Sequence, residues 1–171
     1  MDYLHLPPGK NPPVDVWCVV EIPKNSSNKY ELDHDLGVMR LDRPLFSPMH
    51  YPGDYGFIPS TLAADGDPLD ILVLMEEPSF PGCLISCRPL GVLVMEDEKG
   101  VDEKILAVPT TDPGYQTYQS LSHIPPHFLR AMDHFFRIYK ELEGKSVRTM
   151  GWQDRWVAEK IISDCIAAGR G

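Results

Sequence analysis

Three aspartates stand within six residues at Asp65-Gly66-Asp67-Pro68-Leu69-Asp70. Carboxylates this close raise one another's pKa unless a cation neutralises them. Oxygen-only ligands suit hard divalent cations such as Mg2+ or Mn2+. Gly66 lets the backbone turn tightly, and Pro68 stiffens the turn. The spacing is not that of a calcium loop, which needs D-x-D-x-D-G and a later glutamate. An acidic, solvent-facing turn is the competing reading. A second stretch, Glu96 to Lys104, holds five acids in nine residues. By itself it reads as a solvated hairpin rather than a metal site. A third pairs Glu21-Ile22-Pro23 with Lys29-Tyr30-Glu31, and by itself it reads as surface. Beside these acids stand Lys29, Arg43, Lys104 and Lys140, all near expected strand or helix ends. Tyr51-Pro52-Gly53-Asp54-Tyr55-Gly56 is a compact turn with two phenols. Carboxylates that hold metals, joined to Lys, Arg and Tyr donors for oxygen, form a set suited to phosphate chemistry.

These residues need elements to position them. Residues 14–22 read as a first strand, rich in valine. Segments 29–33 and 37–42 form a hairpin around Asp35-Leu36-Gly37. Residues 55–59 are a short strand. Residues 70–75 are nearly all apolar, as in a strand buried on both faces. Residues 82–95 make a long strand bent at Pro89 and Gly91, and 103–108 another. The pattern then changes. Pro125 and Pro126 mark a helix start. Phe128, Leu129, Met132, Phe135, Phe136, Tyr139 and Leu142 follow at helical spacing, and Gly144 closes the segment. A second helix is expected from about Gln153 to Ala168, with Trp156, Val157, Ile161, Ile162, Cys165 and Ile166 on one face. Strands first and helices after define an α+β class. Its strands suit a small antiparallel barrel, closed or partly closed, with the two C-terminal helices packed against it.

The chain has 171 residues with no repeat, low-complexity tract or linker, so one domain is expected across 1–171. Proline, 17 residues, is about twice its usual share, which argues against a pure helix bundle. The net charge of −9 disfavours nucleic acid as a partner. No apolar run reaches the ~20 residues of a membrane span. MDYLHLPPGKNPP lacks the basic and apolar regions of a signal peptide. Cys18, Cys83, Cys87 and Cys165 read as free thiols, which points to the cytoplasm. His123 and His127 stand four apart, but Pro125 and Pro126 lie between them. All six histidines read as structural or surface groups. No G-x-S-x-G is present.

Taken together, the motifs resemble those of the soluble family I inorganic pyrophosphatases. The resemblance runs from about Val14 to Ala168. Its most specific element is the aspartate loop, similar to the family's D-G-D-P-x-D. Around it, in the family's order, come Glu21-Ile22-Pro23, Lys29-Tyr30-Glu31, Asp42-Arg43, Tyr51-Pro52 with Tyr55-Gly56, Asp97 with Asp102 and Lys104, and Tyr139-Lys140. The resemblance implies hydrolysis of pyrophosphate to two phosphates by a metal-activated water. It implies Mg2+, with Mn2+ or another divalent cation as substitutes, and an OB-like barrel of about five strands. In a chain of this length it implies the bacterial branch, which assembles as a homohexamer. Carried across residue by residue, it makes Asp65, Asp70 and Asp102 ligands of the tightest metal. Asp97 joins Asp102 at metals arriving with substrate, and Glu21 and Glu31 act nearby, partly through water. Asp67 becomes the general base. Lys29, Arg43, Tyr55, Lys104, Tyr139 and Lys140 grip phosphate oxygens, while Tyr51 shapes the pocket. His34 stands where relatives often have lysine, and Asp54 where asparagine is common. Two other readings stay open. One is an OB-like module that binds phosphate or metal without catalysis. The other is a metal-dependent phosphatase for organic esters or nucleotides.

Overall fold

The apolar runs become strands close to the expected places, and the computed structural model describes residues 1–170. The strands are β1 (Val16–Ile22), β2 (Asn28–Asp33), β3 (Val38–Pro44), β4 (Asp54–Phe57), β5 (Asp70–Val73), β6 (Leu84–Asp97), β7 (Gly100–Pro109) and β8 (Arg148–Asp154). Helix α1 (Pro126–Ile138) separates β7 from β8, and α2 (Arg155–Gly169) follows. β2 and β3 pair only with each other, as the expected hairpin.

The other strands run in the order β1-β4-β5-β7-β6-β8, and β1 also pairs with β6. Five strands therefore close a ring, as expected for an OB-like barrel. One ladder, β5 with β7, is parallel. The all-antiparallel arrangement read from the sequence is corrected on this point. Geometry requires the change. Around a closed ring, reversals of direction must come in an even number, so five neighbours cannot all be antiparallel.

β6 takes part in three pairings because it is long and bent. Its first residues pair with β1 and its second half with β8, and the register slips between Pro89 and Gly91 as expected. β8 was not legible as a strand. RTMGWQD offers only Met150 and Trp152 as alternating apolar residues, contains Gly151 and leaves Met150 half-exposed. It forms because bent β6 offers it a free edge.

Strand β5 is buried on both faces, as its composition demands. Ile71 and Val73 pack in a core shared with Ala158, Ile162, Cys165 and Ile166 of α2. Leu72 packs in a second core with Met132, Phe135 and Phe136 of α1. Helix α1 ends at Ile138, so Leu142 falls in a short 3-10 turn (Glu141–Glu143) and is exposed rather than part of the helix face. Phe128 and Trp156 are exposed as well, each in the first turn of its helix, beyond the reach of the barrel.

Candidate active site

The parallel ladder sets Lys104 of β7 opposite Asp70 of β5. Lys104 is 3% exposed. Its Nζ donates to Asp70 Oδ2 at 2.8 Å and to the Tyr55 hydroxyl at 2.8 Å, and lies 3.1 Å from Asp102 Oδ2. The ammonium also faces the rings of Tyr55 and Phe136, each at 5.2 Å. Burial works against a charged lysine, but Asp70 and Asp102 outweigh it and hold the pKa above the ordinary value. Tyr55 donates its hydroxyl proton to Asp70 Oδ2 at 2.6 Å. β4 can lie this tightly on β1 because Gly56 has no side chain: a Cβ there would sit 1.9 Å from the Val19 carbonyl oxygen.

The aspartate loop joins β4 to β5 and is tied down at both ends. Thr61 Oγ accepts the Leu69 amide at 2.9 Å, and the Ala63 amide donates to the Asp67 carbonyl at 2.8 Å. Gly66 adopts φ +90°, which a side chain would resist. The Asp67 amide donates to Asp65 Oδ1 at 3.0 Å. Leu69 is fully buried and anchors the loop, so its carboxylates face outward. Burial, then the charges of Asp65 and Asp70, push the Asp67 carboxyl above the usual range. That is the environment of a carboxylate ready to accept a proton.

Glu21, near the end of β1, sits recessed in the wall and accepts the Leu32 amide at 2.8 Å. Burial pushes its pKa from 4.5 to about 7, with Asp70 adding to the rise and the Leu32 bond opposing it. The folded protein then holds a proton that the unfolded chain has released. Metal-free protein should therefore lose stability as pH rises from about 4.5 to about 7, by roughly 2–3 kcal/mol at this one group. Urea midpoints at pH 5 and pH 7.5, beside Glu21→Gln, measure the difference. An identical slope in the variant would remove Glu21 as the cause.

The β2–β3 hairpin supplies the opposite wall. Lys29 stands opposite Arg43 in register. Its Nζ lies 3.3 Å from Asp42 and 3.6 Å from Glu31, while Arg40 holds Glu31 at 2.9 Å. Tyr139 caps α1, its ring stacked on Phe135 with centroids 5.2 Å apart. Lys140 follows, and burial, then Lys104, Lys145 and Lys29, lower its pKa. Asp97, at the end of β6, accepts the Lys99 amide at 2.8 Å, in the turn that leads to Asp102.

All thirteen catalytic, substrate-binding and metal residues expected from the sequence line one open cavity of about 370 Å3. Tyr51 does not line it. Its ring is buried behind Tyr55, Phe135 and Tyr139. Asp54 also lies elsewhere, buried, accepting the Lys24 and Ser79 amides at 2.8 and 3.1 Å. Lys145 and Asp42 line the cavity, although the sequence reading assigned neither a role. Lys145 follows Gly144, the left-handed residue that ends the turn after α1, and that glycine was the available signal. His34, an exposed residue, lines the cavity too.

The donor set is made of carboxylate oxygens, with no cysteine in the lining. Among the described residues, no three acidic, histidine or cysteine side chains are already gathered at metal-holding distance. Asp70 and Asp102 each direct an oxygen at Lys104. The mutual repulsion that raises Asp67 and the charge penalty on Glu21 are both relieved by a hard divalent cation, so these residues fit one.

A family model described as inorganic pyrophosphatase matches residues 18–170. The inorganic pyrophosphatase of Methanosarcina mazei is 53% identical over 150 residues, covering 87% of this chain and 89% of that protein. That of Gluconobacter oxydans is 47% identical over 173 residues, covering 99% and 100%. The crystal structure of inorganic pyrophosphatase from Thermus thermophilus superposes with a TM-score of 0.97 at 45% identity over the full length of both chains.

Proposed function

Because the chain belongs to the inorganic pyrophosphatase family and hydrolyses pyrophosphate to two phosphates, we propose that the cavity's charged groups divide that reaction as follows. Asp67 accepts the proton of the attacking water. Lys29, Arg43, Lys140 and Tyr139 grip the phosphate oxygens. Lys104 and Tyr55 do the same while fixing Asp70. Asp65, Asp70 and Asp102 hold the tightest divalent cation, and Asp97, Glu21 and Glu31 help to hold others. The cation, Mg2+ in this reading, neutralises substrate charge and acidifies water when bound.

The observation that carries this reading is the convergence of both signs of charge on one cavity. Lys29 and Arg43 of the hairpin, Lys104 of β7 and Lys140 after α1 line it together with carboxylates from β1, the hairpin, the aspartate loop, the end of β6 and β7. A small, highly charged anion that brings its own cations satisfies both signs at once. A module that only binds would have no use for a carboxyl whose proton affinity is raised at Asp67. Phosphate release from pyrophosphate with Mg2+ should be fast, should stop with a chelator and should exceed release from ATP by orders of magnitude. Comparable rates on ATP would overturn the choice of substrate.

No helix among the described residues is long and apolar enough to cross a membrane. All four cysteines are free. The free thiols support a place in the cytoplasm, and the likeness to the bacterial branch of the family supports a homohexamer. Sedimentation at micromolar concentration should give six times the chain mass, and a monomer would overturn the assembly.

A further inference from the structure

Arg43 is held by two carboxylates. Its Nη1 contacts Asp42 on the same strand, and its Nη2 lies 2.6 Å from Glu143 Oε1. Glu143 belongs to the short turn directly after Lys140, and its side chain is 7% exposed. Arg43 Nε and Glu143 Oε2 are both buried, and neither has a hydrogen-bond partner. A buried donor or acceptor without a partner is costly, and native structures rarely leave one without a reason. Here the idle donor and the idle acceptor belong to the same ion pair. An arginine and a carboxylate can meet through two parallel bonds. This pair has made one of them.

We propose that Glu143 is a positioning residue for Arg43 and that the second bond closes when substrate binds. In the empty site, Asp42 holds Nη1 and keeps the guanidinium turned. A phosphate oxygen that takes Nη1 from Asp42 frees the guanidinium to rotate. Nε–H then donates to Glu143 Oε2 beside the existing bond. Closure adds a second tie between the β2–β3 hairpin and the turn that follows Tyr139 and Lys140, so the cations of both walls meet the substrate together. Lys29 remains to neutralise Asp42, which it already approaches at 3.3 Å. This rests on the reading of Arg43 as a phosphate ligand.

The test uses the full-length protein with Mg2+. Glu143→Gln should raise KM for pyrophosphate about tenfold while kcat stays within about threefold, the size expected for one charged hydrogen bond. Arg43→Lys should raise KM at least as much, and the double variant should be no worse than Arg43→Lys alone. A purely structural glutamate would give additive effects, and additivity overturns the proposal. The second readout is the 15N–1H resonance of Arg43 Nε, identified by its loss in Arg43→Lys. Adding methylenebisphosphonate should shift it downfield and slow its exchange with water in the wild type. An unmoved resonance with the analogue bound overturns the proposal, even if Glu143→Gln does not fold. If Arg43→Lys leaves KM unchanged, the phosphate role of Arg43 fails first. If only Glu143→Gln leaves it unchanged, that role stands and the positioning role fails.

Discussion

Asp67→Asn is expected to lower kcat for pyrophosphate by roughly 10²–10⁴-fold, the usual contribution of a general base. The change is nearly isosteric. The loop is held by the Asp67 backbone, through its amide to Asp65 and its carbonyl to Ala63, and both bonds survive the substitution. Thermal stability should therefore move little, as for an exposed position. Asp67 must be ionised to accept a proton, and burial with Asp65 and Asp70 raises its pKa. Without metal the carboxyl should titrate above the ordinary aspartate range, and a bound divalent cation should draw it back down. Initial rates at saturating Mg2+ measure the loss of turnover, and NMR titration of the carboxyl in metal-free protein measures the shift. A loss of less than tenfold in folded Asp67→Asn would mean that another group takes the proton.

Lys104→Met should damage stability and catalysis together. Lys104 is the buried cation between Asp70 and Asp102, and removing it leaves two carboxylates facing each other in the wall. Breaking a buried pair commonly costs 3–5 kcal/mol. Each carboxylate retains about a quarter of its side-chain exposure, so the low end, about 3 kcal/mol, is expected. Activity should fall by roughly 10²–10³-fold, as when one preorganised donor is removed from developing charge. Divalent cations should restore part of the stability by replacing the missing charge, without restoring turnover. Urea titrations with and without Mg2+ measure the first effect and initial rates the second. A stability loss below about 1 kcal/mol in the metal-free protein would mean that these ion pairs behave as exposed ones.

What could be read from the sequence was what depends on near neighbours. The D-G-D-P-L-D loop is local: glycine, proline and three acids dictate a tight turn wherever they occur. The hairpin around Gly37 and the bend of β6 at Pro89 and Gly91 are local in the same sense. The link between Asp70 and Lys104 is not. Thirty-four positions separate the two, and only the parallel ladder makes them neighbours. Composition and spacing carry no trace of that ladder, so their contact was reachable only through family resemblance. β8 escaped for a related reason, since it is a strand because of β6 rather than because of its own residues. Glu143 escaped because a glutamate beside Lys140 looks like any solvated charge until Arg43 arrives from a strand a hundred residues earlier.

The closed ring with its one parallel ladder also dictates when the barrel can exist. β4 and β5 can pair as soon as residue 73 has been made, but β5 waits for β7, whose last residue is 109. At 5–20 residues per second, a nascent chain spends roughly 2–7 seconds with Ile71, Leu72 and Val73 open along one edge. Pairing of distant segments is slow to begin with. An unpaired apolar edge is what chaperones bind and what aggregates form from. Production at low temperature should therefore favour soluble protein for a kinetic reason, with the stability of the finished barrel playing little part.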